Sequence, residues 1–158
     1  MYYKWMKVAI GGTFDLLHDG HKKLLQKVFE LSRGGGEIIV GVTSDTMARA
    51  SRDREVGPYE VRAESIRRYM HEEYGVEVRI VELNDRYGST LDEDFDYIVI
   101  SPETYPVALE INKLREARGK KPIKIVKVEH VKAADGRVIS STRIKAGEID
   151  PHGALLGV

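Results

Sequence analysis

The sequence contains no cysteine, which excludes disulfides, thiol nucleophiles and cysteine-ligated zinc or iron–sulfur centres. It has no excess charge of one sign either. Lys and Arg number 25, Asp and Glu 25, and the formal net charge is +0, so there is no global case for nucleic acid or an anionic membrane as partner. No apolar run approaches the roughly 20 residues needed to span a bilayer. The opening Met1-Tyr2-Tyr3-Lys4-Trp5-Met6-Lys7 is too polar and too short for the apolar part of a signal peptide. A cytoplasmic protein is expected. Amide side chains are scarce, limited to Gln26, Asn84 and Asn112, while 32% of residues are charged, a thermophile-like composition. With 158 residues, 42% of them hydrophobic, the chain has the length of one domain, expected over 1–158, and can bury a core without staples.

Strand and helix patterns alternate. Val8-Ala9-Ile10 is a short apolar strand ending at Gly11-Gly12, and an apolar stripe through Leu17, Leu24, Leu25, Val28 and Phe29 marks a helix stopped by Gly34-Gly35-Gly36. Ile38–Val42 is a second strand. Tyr59, Ala63, Ile66 and Met70 lie on one face of a helix that Gly75 closes. Alternating residues over 76–81, the apolar run 97–100, a helix on Val107, Ile111 and Leu114 ended by Gly119, and a strand over 123–128 complete the series. This pattern predicts an α/β fold with a parallel sheet. Continuously apolar strands belong at the centre and charged, alternating ones at the edges. The expectation is a doubly wound sheet of five strands in the order 3-2-1-4-5, with its ligand crevice after the first and fourth strands. The polar stretch Ala50–Pro58 and the acidic stretch Asn84–Asp96 read as mobile loops able to cover that crevice.

The chemistry concentrates in Gly11-Gly12-Thr13-Phe14-Asp15-Leu16-Leu17-His18-Asp19-Gly20-His21. Glycines after a strand let the backbone approach a ligand. Asp19 suits a helix N-cap, and a helix start favours an anion that His18 and His21 can bind by donation. Three other readings exist. The histidines could hold a metal, but only Asp15 and Asp19 stand nearby to complete its ligands. They could be ordinary helix-start residues. A dinucleotide fingerprint is disfavoured because G-x-G-x-x-G is absent.

Gly12-Thr13-Phe14-Asp15 with His18-Asp19-Gly20-His21 resembles the H-x-G-H motif of the nucleotidyltransferase superfamily, and Ile139-Ser140-Ser141-Thr142-Arg143-Ile144 its I-S-S-T-x-I signature. Thr43-Ser44-Asp45, Pro58-Tyr59-Glu60-Val61-Arg62, Ser101-Pro102-Glu103-Thr104-Tyr105 and Ile111-Asn112-Lys113-Leu114-Arg115 are similar to the archaeal and eukaryotic branch of phosphopantetheine adenylyltransferase. The resemblance implies a Rossmann-like nucleotidyltransferase fold. It also implies AMP transfer from ATP, with Mg2+, to 4′-phosphopantetheine, giving dephospho-coenzyme A and pyrophosphate in coenzyme A synthesis.

By the same resemblance His18, His21 and Thr13 are catalytic. Gly12, Phe14, His18, His21, Asn112, Arg115, Ser140, Ser141 and Thr142 bind ATP, and Thr13, Thr43 and Arg49 bind the acceptor. No protein metal ligand is implied. The family lysine after the second strand is missing; that stretch offers Arg49, Arg52 and Arg54, and arginine can bind phosphate bidentately. His71, His130 and His152 match no motif and read as surface or structural, and Lys120-Lys121-Pro122 as a solvated turn. An acceptor that is already a phosphate needs no general base, which points to direct in-line attack without a covalent intermediate. The competing readings are transfer to FMN or glycerol 3-phosphate, and a non-catalytic nucleotide-binding regulator.

Overall fold

The computed structural model describes residues 5–33, 35–50 and 55–157. Strands β1 (Lys7–Gly12), β2 (Glu37–Thr43), β3 (Arg79–Leu83), β4 (Tyr97–Ile100) and β5 (Lys124–Lys127) form a 5-stranded sheet in the order β3-β2-β1-β4-β5. Every neighbouring pair is parallel. The order follows from burial. The runs of β1, β2 and β4 are buried on both faces, whereas β3 and β5 have exposed residues at their ends and stand at the edges.

Alternation along each central strand divides the core between the two faces. Val8, Ile10, Val40, Val42 and Val99 meet Leu25 and Val28 of α1 (Asp19–Ser32) and Ile66 and Met70 of α3 (Tyr59–Tyr74). Ala9, Ile39, Ile98 and Ile100 meet Ala108 and Ile111 of α4 (Tyr105–Ala117), with Leu91 and Phe95 from the segment before β4. Two short helices, α2 (Asp45–Ala50) and α5 (Ser141–Lys145), flank the ends of strands β2 and β5 in sequence. Among the described residues no helix is long and apolar enough to cross a membrane.

Five local features differ from the sequence reading. The edge strand expected over 76–81 pairs only from Arg79, opposite Ile39, to Leu83, opposite Thr43. Alternation marks a half-buried extended chain, not the residue at which pairing begins. Helix α2 was not foreseen. Helix α1 ends at Arg33, in the left-handed region at φ 57, rather than at the glycine triplet, and its N-cap is His18 rather than Asp19. The acidic stretch 84–96, expected to be a mobile loop over the crevice, lines the cavity through residues 86–90 but is also anchored, since Leu91 and Phe95 are buried in the core.

Candidate active site

Strand β1 ends at Gly12 and the chain turns sharply, with Phe14 in the left-handed region at φ 52, a costly conformation for a bulky residue. The turn is held from several directions. The buried Phe14 ring lies 5.2 Å from the His21 ring, and a side chain on Gly12 would meet the Phe14 ring at 3.0 Å. Asp15, whose side chain is 2% exposed, accepts from the Gly57 N–H at 2.9 Å and pairs with Lys145 of α5 at 2.7 Å.

His18 caps α1 with its ring. Nδ1 accepts from the backbone N–H of Gly20 at 3.1 Å and of His21 at 3.4 Å. A backbone N–H only donates, so Nδ1 carries no proton and the ring's own N–H is Nε2. This explains the glycine between the histidines: a Cβ on Gly20 would stand 2.8 Å from the His18 ring. The His18 and His21 rings stack with centroids 3.7 Å apart. Burial pushes His18 down to about 4, against the pull of Asp19. His21 goes down to about 3, through burial and then the neighbouring His18. The Leu16 carbonyl near the His21 ring works the other way, although buried Nδ1 of His21 makes no hydrogen bond of good geometry. At neutral pH both rings are uncharged donors rather than cations.

The second serine-rich segment closes on the first. Ser141 Oγ accepts from the Leu16 N–H at 3.4 Å and donates to the Leu16 carbonyl at 3.3 Å. Ser140 caps α5 by accepting from the Arg143 N–H at 3.2 Å, and Thr142 is exposed. The two segments are 125 residues apart in sequence at that contact and meet at the carboxyl ends of β1 and β4.

A cavity of about 650 Å³ opens there. Gly12, Thr13, Phe14, Asp15, His18, His21, Thr43, Ser140, Ser141 and Thr142 all line it. Leu83, Tyr87, Gly88, Val107 and Ile111 line it as well, and Tyr87, Val107 and Ile111 belong to the apolar cluster on the α4 face of the sheet.

Two expected ATP residues are elsewhere. Asn112 donates to the Ile123 carbonyl and accepts the Ile123 N–H, both at 2.8 Å. Arg115, 1% exposed, donates to the carbonyls of Lys121, Thr90 and Glu93 and to Asp94. Neither lines the cavity. Helix α4 leaves the carboxyl end of β4 and runs back, so its last turns lie toward the ends where the strands begin, outside the cavity lining. Their side chains secure the approach to β5 and the 84–96 segment. Arg49 is exposed on α2 and does not line the cavity either; Arg52 and Arg54 lie outside the described residues.

Other residues were not singled out by their sequence pattern. Arg62 is buried behind Thr13, Arg86 and His130 line the cavity, and Lys145 pairs with Asp15. Arg86 is the only Lys or Arg among the described lining residues. His71 and His152 are exposed and pair with Glu77 and Asp19. Lys121 in the expected turn is exposed, with its carbonyl bound by Arg115.

Residues 9–147 match the cytidylyltransferase-like family. A phosphopantetheine adenylyltransferase of Archaeoglobus fulgidus is 56% identical over 151 residues, covering 96% of this chain and 100% of the relative. The chain belongs to this family. A Methanosarcina mazei phosphopantetheine adenylyltransferase is 51% identical, covering 94% of this chain and 96% of that protein. A crystal structure of a protein of unknown function from Archaeoglobus fulgidus is 55% identical with a TM-score of 0.73, covering 78% of this chain and 89% of that one. A tyrosyl-tRNA synthetase from the same organism shares the fold at 16% identity, with a TM-score of 0.62 over 87% of this chain and 59% of that one. As a family member the chain is a nucleotidyltransferase, and its H-x-G-H and I-S-S-T segments are the ones that meet at the cavity.

Proposed function

We propose that the protein transfers AMP from ATP to 4′-phosphopantetheine, giving dephospho-coenzyme A and pyrophosphate. The observation that carries this reading is that both motif segments line one cavity, whose lining also includes the apolar Leu83, Val107 and Ile111. The histidines and the α5 segment take the ATP phosphates. Thr13 meets the acceptor phosphate, and the apolar part of the lining takes the long uncharged pantetheine chain.

The acceptor phosphate is its own nucleophile. It attacks the α-phosphorus in line with the departing pyrophosphate, and no residue is adenylylated. The protein contributes position and charge stabilisation. Nε2–H of His18 is fixed as a donor by the cap on Nδ1. His21, stacked beneath it and backed by Phe14, is held in one orientation. A donor aimed at charge that grows in the transition state is worth about 2.7–4 kcal/mol. ATP enters as its magnesium complex, with the ion carried on phosphate and water oxygens.

Pyrophosphate release with ATP and magnesium, measured over a panel of acceptors, tests the reading. 4′-Phosphopantetheine is expected to exceed FMN, glycerol 3-phosphate and nicotinamide mononucleotide by at least about 10³ in kcat/KM, roughly 4 kcal/mol of transition-state binding. Faster turnover of FMN would overturn the acceptor while leaving the nucleotidyl transfer intact. Binding of ATP without pyrophosphate release from any acceptor would favour a regulator.

A further inference from the structure

Thr13 is pinned from two sides, by Arg62, which does not line the cavity, and by Thr43, which does. Arg62 is 1% exposed. Its Nη1 donates to the Thr13 carbonyl at 2.9 Å and to Thr43 Oγ1 at 3.3 Å. Its Nε donates to the Gly57 carbonyl at 2.7 Å and its Nη2 to Asp45 at 3.0 Å. Thr43 Oγ1 lies 3.0 Å from Thr13 Oγ1. Thr13 and Thr43 are both buried, and both line the cavity.

We propose that Arg62 and Thr43 are positioning residues that set the direction of the Thr13 hydroxyl, so that it donates into the cavity to the acceptor phosphate. The inference rests on the reading of Thr13 given above. A guanidinium has donors only, so Thr43 Oγ1 accepts from Arg62. The Thr43 proton then goes to the acceptor within reach, Thr13 Oγ1. Thr13 thus accepts on its inner side and its own proton turns away from Thr43, toward the cavity. Donors in a chain polarise one another, and the buried cation at the head of this one strengthens the last donor. The Arg62 bond to the Thr13 carbonyl fixes the backbone that carries this β-branched, stiff side chain. A phosphate accepts only, so a hydroxyl fixed as donor is ready for it without reorganisation.

The test is steady-state kinetics of Thr43→Val, Thr43→Ser, Thr13→Val and the Thr13→Val/Thr43→Val double variant, varying each substrate in turn, with thermal unfolding as the check on folding. Thr43→Val keeps the shape and leaves Arg62 its other partners. It is expected to lose about tenfold in kcat/KM for the acceptor while KM for ATP stays within about twofold. Thr43→Ser should restore the native value. In the Thr13→Val background the Thr43→Val loss should vanish, because the residue acts through Thr13. Arg62→Lys, which keeps the charge but not the fork, should show the same acceptor-selective loss with the same dependence on Thr13. A folded Thr43→Val with native acceptor kinetics, beside an impaired Thr13→Val, overturns this inference alone. Full additivity of the two losses overturns it too. Native kinetics in Thr13→Val would overturn the reading of Thr13 and this inference with it.

Discussion

Arg62 and Arg115 are the same side chain in nearly the same circumstances. Each is 1% exposed, each projects from a helix packed on the sheet, and each spends its guanidinium on backbone carbonyls and one carboxylate, Asp45 or Asp94. They differ in which end of the sheet they serve. Arg62 holds Thr13, Thr43 and Gly57 at the carboxyl ends of β1 and β2. Arg115 holds Thr90, Glu93 and Lys121 near the opposite end. A buried arginine in a family motif is therefore not by itself a ligand contact, and the end of the strands it reaches decides what its loss would do.

Removing either should be the largest effect available. Arg115→Met leaves the carbonyls of Thr90, Glu93 and Lys121 without their donor, and a buried acceptor left unsatisfied costs about 1–3 kcal/mol. Denaturant unfolding of Arg115→Met should show that loss. The milder Arg115→Lys, folded, should keep its KM for ATP within about twofold, whereas Arg62→Lys should be impaired for the acceptor. A folded Arg115→Lys with ATP affinity weakened tenfold or more would erase the contrast and return Arg115 to the nucleotide site.

The next largest effect lies wholly at the Arg62 end. His21→Ala should lower turnover by about 10²–10³, the value of one transition-state donor. Its stability should change far less than that of Arg115→Met, because the ring lines a cavity and its Nδ1 has no well-formed bond to lose. Near-native turnover in the folded variant would remove His21 from the chemistry.

These contrasts show what the sequence could reveal. Strand order was legible because Ile38–Val42 and Tyr97–Ile100 are continuously apolar whereas the edge strands carry Arg79, Glu82, Lys124 and Lys127. Gly20 and the flanking histidines were legible as a site, since glycine spacing and helix starts are local features. The His18 cap was not, because the shorter Asp19 beside it is the commoner capping residue. The placement of Asn112 and Arg115 outside the cavity lining was not legible for a different reason. They share a helix face three residues apart, as ligand residues would, but helix periodicity does not say which end of the helix reaches the crevice. Arg62 was hidden because a charged residue between Val61 and Ala63 reads as a solvated helix face; only the contacts of three separate loops give it a buried role.

The paired histidines also predict a pH dependence confined to the Arg62 end. Both are held below the ordinary histidine value, His18 at about 4 and His21 at about 3. Above pH about 6.5 folded and unfolded chains both carry neutral rings, so these groups add no slope. As pH falls below that value the unfolded chain takes up protons that the folded one refuses, and stability declines until the folded rings protonate. Each ring contributes a slope of up to about 1.4 kcal/mol per pH unit in that window. Denaturant titrations from pH 7 to pH 4.5 should show the slope reduced in His18→Gln and His21→Gln and preserved in Asn112→Ala. An equal slope in all four proteins would mean that the rings are more solvated than their burial suggests.

The smallest predicted effect concerns the cation that replaces the missing lysine. Arg86 holds Glu110 at 3.1 Å, with side chains 58% and 40% exposed. An ion pair so open to water contributes little, so exchanging Glu110 for a substrate phosphate costs little. A phosphate can accept from a guanidinium bidentately and carries more charge. Arg86→Gln should therefore raise KM for one substrate about tenfold, near 1.4 kcal/mol, with kcat within about twofold. Glu110→Gln, which frees the guanidinium, should lower that same KM or leave it unchanged. Arg49→Ala should be silent, since Arg49 does not line the cavity. Measuring both Michaelis constants shows whether the phosphate belongs to ATP or to the acceptor. A native KM pair in Arg86→Gln, together with a raised KM in Arg52→Ala or Arg54→Ala, would move the phosphate-binding cation from the wall after β3 to the segment between α2 and α3.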